Sequence, residues 1–308
     1  MQFSPHDAPP LQPVPSQIVA TWPVGTFVEN IAALPDGRFV VAIHSQNELQ
    51  IVTSQGEKSA LASLPLPPAG LVVVGETIFA ACGVPGQSGG AIWKIALDGE
   101  AQMWIELEGA LFPNGCTPFF AGHLLLADSI RGELWDIDLE ARSAQVWLAD
   151  NRLKPLGADS ILPGVNGVKI HDFHVYFTNT DAAQLLRVPI RADGSAGAIE
   201  LLAERFRGDD FAFDAQGALY VTTHLHAGVV RRTPDGEKIA LAGWDQGLAG
   251  STAAAFGRAT GETHSLFVTT TGGIYQLNES DPIEAAKLVR LEVGASGLPI
   301  EFLKEIQA

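Results

Sequence analysis

The chain has 308 residues, of which 46% are apolar, and 35 acidic against 19 basic side chains give it a formal net charge of −16. This apolar fraction supplies a large core and excludes global disorder, while the excess of acids argues against nucleic acids and anionic membranes as partners, because both are bound through Lys and Arg. The two cysteines, Cys82 and Cys116, exclude a disulfide scaffold and a cysteine-based zinc site.

The first 15 residues, MQFSPHDAPPLQPVP, predict an extended, proline-rich arm. They have neither the basic nor the apolar region of a signal peptide. The most apolar stretch, residues 60–84, is interrupted by Pro65, Pro67, Pro68, Gly70, Gly75 and Glu76, whereas a membrane-spanning helix needs roughly 20 uninterrupted apolar residues. We therefore expect a cytoplasmic protein, monomeric, with a single domain over residues 16–308.

From residue 28 onward, one pattern of four strands recurs six times. A short strand precedes a strongly apolar strand, a strand of alternating polarity follows a turn, and a fourth strand ends the unit. The alternating strands begin at Glu48, Ala91, Glu133, Gln184, Gly228 and Gly273, so successive units are 42–51 residues apart. Four strands in this length are typical of a β-propeller blade.

The predicted fold is therefore all-β, a six-bladed β-propeller with four antiparallel strands per blade. A pair of β-sandwiches with accidental regularity is the alternative. Residues Gln17–Trp22 form an additional strand that we expect to help close the ring against the last blade. Helical periodicity is confined to Pro282–Lys287.

The first strand of each blade lines the central channel of a propeller, so residues at equivalent opening positions converge on the axis. In chain order these residues are Glu29, Gly70, Asn114, Asn166, Asp209 and Ser251. None is Lys or Arg, and buried carboxylates require a compensating charge. Carboxylate and amide oxygens suit a hard divalent cation, so we predict one such ion on the axis, most simply Ca²⁺. The alternative is a set of solvated polar side chains in a wet channel.

The loops between the second and third strands open on the same face, where we expect a polar cup that binds a small-molecule substrate. Its predicted substrate-binding residues are His44, Asn114, Arg131, Asn179 and His224. Asp209, or a water held by Asp128, is the candidate general base. Imidazoles at this level leave Zn²⁺ or Fe as alternatives to Ca²⁺. Ordinary loop polarity is the competing interpretation for each cup residue.

Three blade openings make the chain similar to the gluconolactonase, regucalcin (senescence marker protein) and strictosidine-synthase-like superfamily of six-bladed propellers. They are Val28-Glu29-Asn30, the stretch from Pro163 to Val168, and the stretch from Asp209 to Asp214. The resemblance, over roughly residues 20–295, implies that Glu29, Asn166 and Asp209 bind one divalent metal ion and that Asn114 contacts the metal or the substrate.

Two departures from the family pattern argue against sugar-lactone specificity. The fifth blade has Asp209-Asp210 instead of Asp-Gly, and the third blade has residues 112–116, FPNGC, instead of Arg-x-Asn-Asp-Gly. Residues 250–258 resemble a branch with fungal and bacterial members, and some fungal relatives are natural-product cyclases, including hetero-Diels–Alder catalysts.

Three functions follow as hypotheses. The first is a metal-dependent hydrolase of a lactone or related cyclic ester, in which the ion polarises the carbonyl group. The second is a non-hydrolytic cyclase or isomerase that acts by holding an intermediate in a reactive conformation. The third is a ligand-binding propeller without chemistry. A cup with apolar walls favours the second hypothesis.

Overall fold

A computed structural model describes residues 6–275 and 282–303, and β-strands dominate it. The strands form six antiparallel sheets of four strands each within these ranges. Five sheets consist of strands that follow one another in the chain. This arrangement confirms the predicted six-bladed β-propeller.

The strands are assigned to blades 1 to 5 in chain order, and blade 6 combines both ends of the chain. Blade 1 contains β2 (Val28–Ala33), β3 (Phe39–Ile43), β4 (Glu48–Val52) and β5 (Lys58–Ser63); blade 2 contains β6 (Pro68–Val74), β7 (Thr77–Cys82), β8 (Ala91–Ile95) and β9 (Ala101–Glu106); blade 3 contains β10 (Pro113–Pro118), β11 (His123–Asp128), β12 (Glu133–Asp138) and β13 (Ser143–Ala149); blade 4 contains β14 (Val165–His171), β15 (His174–Asn179), β16 (Gln184–Pro189) and β17 (Glu200–Ala203); blade 5 contains β18 (Phe211–Phe213), β19 (Leu219–Thr222), β20 (Val229–Arg232) and β21 (Lys238–Ala242); blade 6 contains β22 (Ser251–Phe256), β23 (Ser265–Thr270), β24 (Ala285–Glu292) and β1 (Ser16–Val24).

Strand β1 closes the ring by pairing antiparallel with β24, from Ser16 opposite Leu291 to Val24 opposite Ala285. The expected closing role of Gln17–Trp22 is therefore confirmed. The helical interpretation of Pro282–Lys287 is wrong, because Ala285 already begins β24, whose backbone pairs with strands on both sides. A run of six residues is also too short to form a stable helix by itself. The predicted third strand of this blade, from Gly273, is wrong as well, because β24 takes the third position, between β23 and β1. Residues 276–278 of that stretch lie outside the described residues.

An apolar cluster lies between each pair of neighbouring blades and holds the ring together. Between blades 6 and 1, for example, the rings of Phe39 and Phe267 lie 4.3 Å apart, and both side chains are buried. The second strands carry apolar residues at consecutive positions, and successive side chains point to opposite faces, so both faces of a blade are apolar and each blade needs two neighbours. Within the described ranges, no helix is long and apolar enough to cross a lipid bilayer.

Each innermost strand carries an extra residue or an unpaired step where it opens, and this feature defines which positions are equivalent. In blade 1 the pairing passes from Val28 to Asn30, and in blade 2 from Pro68 to Gly70. The residues at the equivalent position are Glu29, Ala69, Asn114, Asn166, Asp209 and Thr252. Two predicted opening positions, Gly70 and Ser251, were therefore wrong by one residue, because a bulge shifts the register locally.

In blades 2, 3 and 4 the residue after the opening position is a glycine (Gly70, Gly115 and Gly167), which lets the backbones of neighbouring innermost strands touch. A Cβ atom on Gly70 would lie 2.1 Å from the carbonyl oxygen of Asn114, and one on Gly115 would lie 2.2 Å from that of Asn166. Neither distance is sterically allowed, so a side chain there would push the blades apart. This close approach brings the side chains of Asn114 and Asn166 to the axis.

Two described segments outside the blades, residues 6–15 and 294–303, lie along the ring. Residues 6–15 follow the outer edge of blade 5, where Gln12 N donates to Ala240 O at 2.8 Å and Ala240 N donates to Pro10 O at 2.9 Å. Residues 294–303 lie across the end of the channel at which the innermost strands finish, with Leu298 N donating to Phe213 O at 2.9 Å. The other end of the channel stays open to the loops described next.

Candidate functional site

At the end where the innermost strands begin, the channel widens into a cavity of about 690 Å³. Its floor contains the four oxygen-bearing side chains of Glu29, Asn114, Asn166 and Asp209, all of them buried. His44 and His224 also line it. The structure thus brings six of the sequence-predicted site residues to one cavity, because their positions repeat from blade to blade around the axis.

Two of the floor residues are held by the protein, and two face the cavity. Asp209 Oδ1 accepts a hydrogen bond from Asn166 Nδ2 at 2.6 Å, and the same nitrogen donates to Thr180 Oγ1 at 3.0 Å. Among the residues that the structure describes, the carboxylate of Glu29 and the amide of Asn114 have no hydrogen-bond partner. These two groups are therefore available to a bound ligand or ion.

The floor carries more negative charge than its surroundings compensate. Burial raises the pKa of Glu29 well above its ordinary value, and repulsion by Asp209 and Asp210 raises it further. Burial also raises the pKa of Asp209, against the opposing effect of its contact with His224. Asp210, in contrast, forms an ion pair between blades with Lys169, whose Nζ lies 2.6 Å from Asp210 Oδ1.

His224 is engaged through both ring nitrogens. Nε2 lies 2.9 Å from Ile274 O, so it must donate, and Nδ1 lies 3.1 Å from Asp209 Oδ2. The second contact needs a proton on one of the two partners, because otherwise an acceptor would face an acceptor. His224 therefore orients Asp209 and has no free nitrogen for a metal ion. His44 meets Pro68 O through Nδ1 at 3.2 Å, and burial lowers its pKa.

The floor fits a hard cation better than a zinc or iron centre. Among residues 6–275 and 282–303, no group of three or more His, Cys, Asp and Glu side chains is arranged to hold a metal. Any ion on the axis would therefore depend on amide oxygens as well as on Glu29 and Asp209. The Glu29 carboxylate, which has no cationic partner among the described residues, the neighbouring Asp209 and two amides are the type of oxygen donors that Ca²⁺ accepts. The uncompensated burial of Glu29 is the observation that fits such an ion.

Asp128 lies outside the cavity lining and holds its wall from behind. Oδ1 accepts from the backbone N–H groups of Phe112, Ile130 and Arg131 at 3.1, 3.2 and 3.0 Å, and Oδ2 accepts from Leu111 at 2.7 Å. Because these four hydrogen bonds hold the carboxylate behind the lining, Asp128 is not in a position to present a catalytic water to the cavity. Phe112 and Ile130 line the cavity, so Asp128 positions two of its apolar side chains.

Asn179 and Arg131 are likewise absent from the lining. Asn179 Nδ2 donates to the carbonyl oxygens of Arg152 and Lys154 at 2.8 and 3.0 Å, and so anchors the loop that covers the cavity. Arg131 forms a bidentate pair with Glu133, at 2.6 and 3.1 Å. Contacts with substrate are therefore assigned to neither residue.

Sequence reasoning missed the walls of the cavity. Residues 150–164 connect blades 3 and 4, and their apolar side chains cover one side. The other wall residues are largely apolar or aromatic: Phe27, Phe112, Ile130, Leu225 and Tyr275. Phe27 contacts the rings of His44 and His224, each at 5.6 Å. A signal for the loop was present, since the third and fourth units are separated by the longest of the spacings.

Comparison with known proteins supports the fold and provides distant sequence relatives. No family model matches the chain. The chain is 23% identical over 329 residues to the "Putative hetero-Diels-Alderase asR5" of Sarocladium schorii, an alignment that covers 87% of this chain and 81% of that protein.

Two solved structures have a similar fold. The calcium-binding protein regucalcin of Agrobacterium tumefaciens superposes with a TM-score of 0.72 at 18% identity, covering 96% of this chain and 99% of that one. A gluconolactonase of Xanthomonas campestris superposes with a TM-score of 0.67 at 15% identity, covering 94% and 97%. The predicted resemblance to regucalcin and gluconolactonase propellers is confirmed as a resemblance of fold.

Proposed function

We propose that the protein is an enzyme that catalyses a non-hydrolytic cyclisation, of the hetero-Diels–Alder type, on a largely apolar small molecule with a carbonyl oxygen. The observation that carries this proposal is the cavity of about 690 Å³, whose walls are apolar and aromatic while its floor is polar. Such a cavity suits a hydrocarbon skeleton with oxygen at one end better than a hydrophilic sugar lactone. The name of the fungal relative supports the same reaction class.

Confinement is the main contribution that the protein would make. In a hetero-Diels–Alder reaction, one C–O and one C–C bond form from three π bonds, one new π bond appears, and no proton or leaving group is transferred. Holding the two reacting ends together can supply roughly 7–11 kcal/mol of the barrier. Phe27, Leu162 and Tyr275 would enclose the skeleton, and the Asn114 amide, which is free of hydrogen bonds to the described residues, would donate to the carbonyl oxygen.

A divalent cation held by Glu29, Asn166 and Asp209 would supply positive charge that polarises this carbonyl. The chain's own residues prepare that position. Asn166 and His224 orient the Asp209 carboxylate through its two oxygens, and the walls limit the access of water. Because these contacts exist within the protein itself, the floor is preorganised before any ligand binds.

The test is stereochemical. An ortho-quinone methide generated in solution adds to 4-methoxystyrene without a catalyst to give racemic product, so an enantiomeric excess measured by chiral chromatography reports reaction inside the cavity. Ile161→Trp, which introduces bulk at the cavity wall, should lower this excess. Leu156→Trp is the matched control, because Leu156 belongs to the same loop and is similarly exposed, 67% against 63%, but does not line the cavity.

Metal-dependent hydrolysis of a lipophilic lactone is the second candidate, and the pair of buried carboxylates on the floor favours it. In that reaction Asp209 is the group placed to accept a proton from the attacking water, since His224 and Asn166 hold its orientation. A panel of lactones assayed with EDTA and with Ca²⁺ separates the candidates. Lactone turnover that EDTA abolishes, together with racemic cycloadducts across a panel of heterodienes, would contradict the cyclase proposal.

A further inference from the structure

The loop over the cavity places a lysine at the cavity wall. Lys154 is the one Lys or Arg side chain among the described residues that line the cavity. The structure anchors its backbone, because Lys154 N donates to Asn151 O at 3.2 Å and Lys154 O accepts from Asn179 Nδ2 at 3.0 Å. Leu156 N, two residues later, donates to Asp181 Oδ2 at 2.7 Å. The loop therefore presents Lys154 from a fixed backbone.

The side chain of Lys154 is directed by a glycine and has no charged partner. A Cβ atom on Gly132 would lie 2.4 Å from Lys154 Cγ, so the absence of a side chain at Gly132 leaves the space that the lysine stem occupies. Within the described part of the chain, Lys154 Nζ has no hydrogen bond or ion pair. Lys154 is exposed to solvent, and in a protein with a net charge of −16 no acid is placed against it among the described residues, so its ammonium group is free to meet an anion that enters the cavity.

From this arrangement we propose that Lys154 binds an oxyanion of the substrate, a carboxylate or an ionised phenol, at the mouth of the cavity. The substrate is then an amphiphilic anion. Its charged end lies at Lys154, its hydrocarbon body contacts Ile161 and Leu162, and its carbonyl group lies at the floor. This inference rests on the proposed use of the cavity for a small molecule, and it adds the substrate class and a residue that determines specificity.

The test compares ligands that differ in charge but hardly in size. The first pair is 2-naphthoate and its neutral counterpart 2-acetylnaphthalene, and the second is 4-nitrophenolate, above the pKa of the phenol, and 4-nitroanisole. Binding is measured by isothermal titration calorimetry on the full chain, with EDTA and with Ca²⁺. Lys154→Met should weaken binding of the anions about tenfold and leave that of the neutral ligands nearly unchanged. Lys154→Arg should retain the preference for anions.

Lys94→Met is the control for loss of a positive charge, because Lys94 lies on β8 outside the cavity lining. Added salt should weaken binding of the anions alone. A loss confined to one anion supports the proposal for that class. Equal losses for charged and neutral ligands, or a preference for anions that needs Ca²⁺ and survives Lys154→Met, would overturn it. Because no turnover is measured, these results do not depend on whether cyclisation is detected.

Discussion

Glu29→Gln should remove a large part of the pH dependence of stability in the absence of divalent cations. Glu29 is buried among carboxylates, and its pKa in the folded protein lies well above the ordinary value of 4.5. Below pH 4.5 the group is protonated in both states. As the pH rises from there towards the pKa of Glu29 in the folded protein, the unfolded chain releases this proton first. The free energy of unfolding therefore falls by up to about 1.4 kcal/mol per pH unit.

The magnitude is large enough to measure by thermal unfolding. For a domain of about 300 residues, 1.4 kcal/mol corresponds to roughly 2 °C in Tm, so the parent protein in EDTA should lose that much per pH unit from about pH 5 upward. Glu29→Gln should flatten the curve and, near neutral pH, melt higher than the parent. Glu76→Gln, which changes an exposed glutamate in a turn, should follow the parent curve.

Calcium should act in the opposite direction on the parent protein, because a bound dication favours the ionised carboxylates. At 100 times its dissociation constant, an ion that binds the folded state alone adds about 2.7 kcal/mol of stability. Glu29→Gln should lose most of this gain. If the parent and Glu29→Gln curves run parallel in EDTA, then Glu29 is not a destabilising buried charge, and the argument for a cation at the floor fails with it.

Three further substitutions test how the site is built, each by urea unfolding. Gly115→Ala should lower the free energy of unfolding by about 3 kcal/mol, because its Cβ would meet a carbonyl oxygen of blade 4. Gly157→Ala is the control: with open space around it, the substitution should not lower the free energy of unfolding and can raise it by up to about 1 kcal/mol. Asp128→Ala should cost about 3 kcal/mol through the loss of four backbone hydrogen bonds; a cost below 1 kcal/mol would contradict its positioning role. Lys169→Met should cost about 3–5 kcal/mol by leaving Asp210 unpaired, and adding Asp210→Asn should restore much of that loss; no restoration would contradict the ion-pair interpretation.

The repeat made the floor of the site predictable from the sequence. Strand alternation and turn residues are local signals, and their recurrence defines equivalent positions, so Glu29, Asn114, Asn166 and Asp209 could be assigned to one axis without coordinates. The register of the strands was less predictable. In blade 2 a bulge puts Ala69, and not Gly70, at the opening position, and that bulge depends on pairing between strands.

The walls depend on segments that have no counterpart in the other blades. The loop of residues 150–164 has no equivalent from which its course could be inferred, so Lys154 and Ile161 were not identified. Asp128 was predicted to hold a catalytic water and Asn179 to bind substrate, but both side chains form hydrogen bonds with backbone groups beside the cavity. Polarity alone does not distinguish a side chain that holds a loop from one that meets a ligand.

The pairing of β1 with β24 has a consequence for how the protein is made. It joins two segments that are separated by about 260 residues, and closing a loop of that length costs about 5 kcal/mol of chain entropy. During translation β1 leaves the ribosome about 260 residues before its partner β24. Until then the flanks of blades 1 and 5 that later pack against blade 6 stay exposed. The nascent protein is therefore most prone to aggregation in the interval between the synthesis of blade 5 and that of β24.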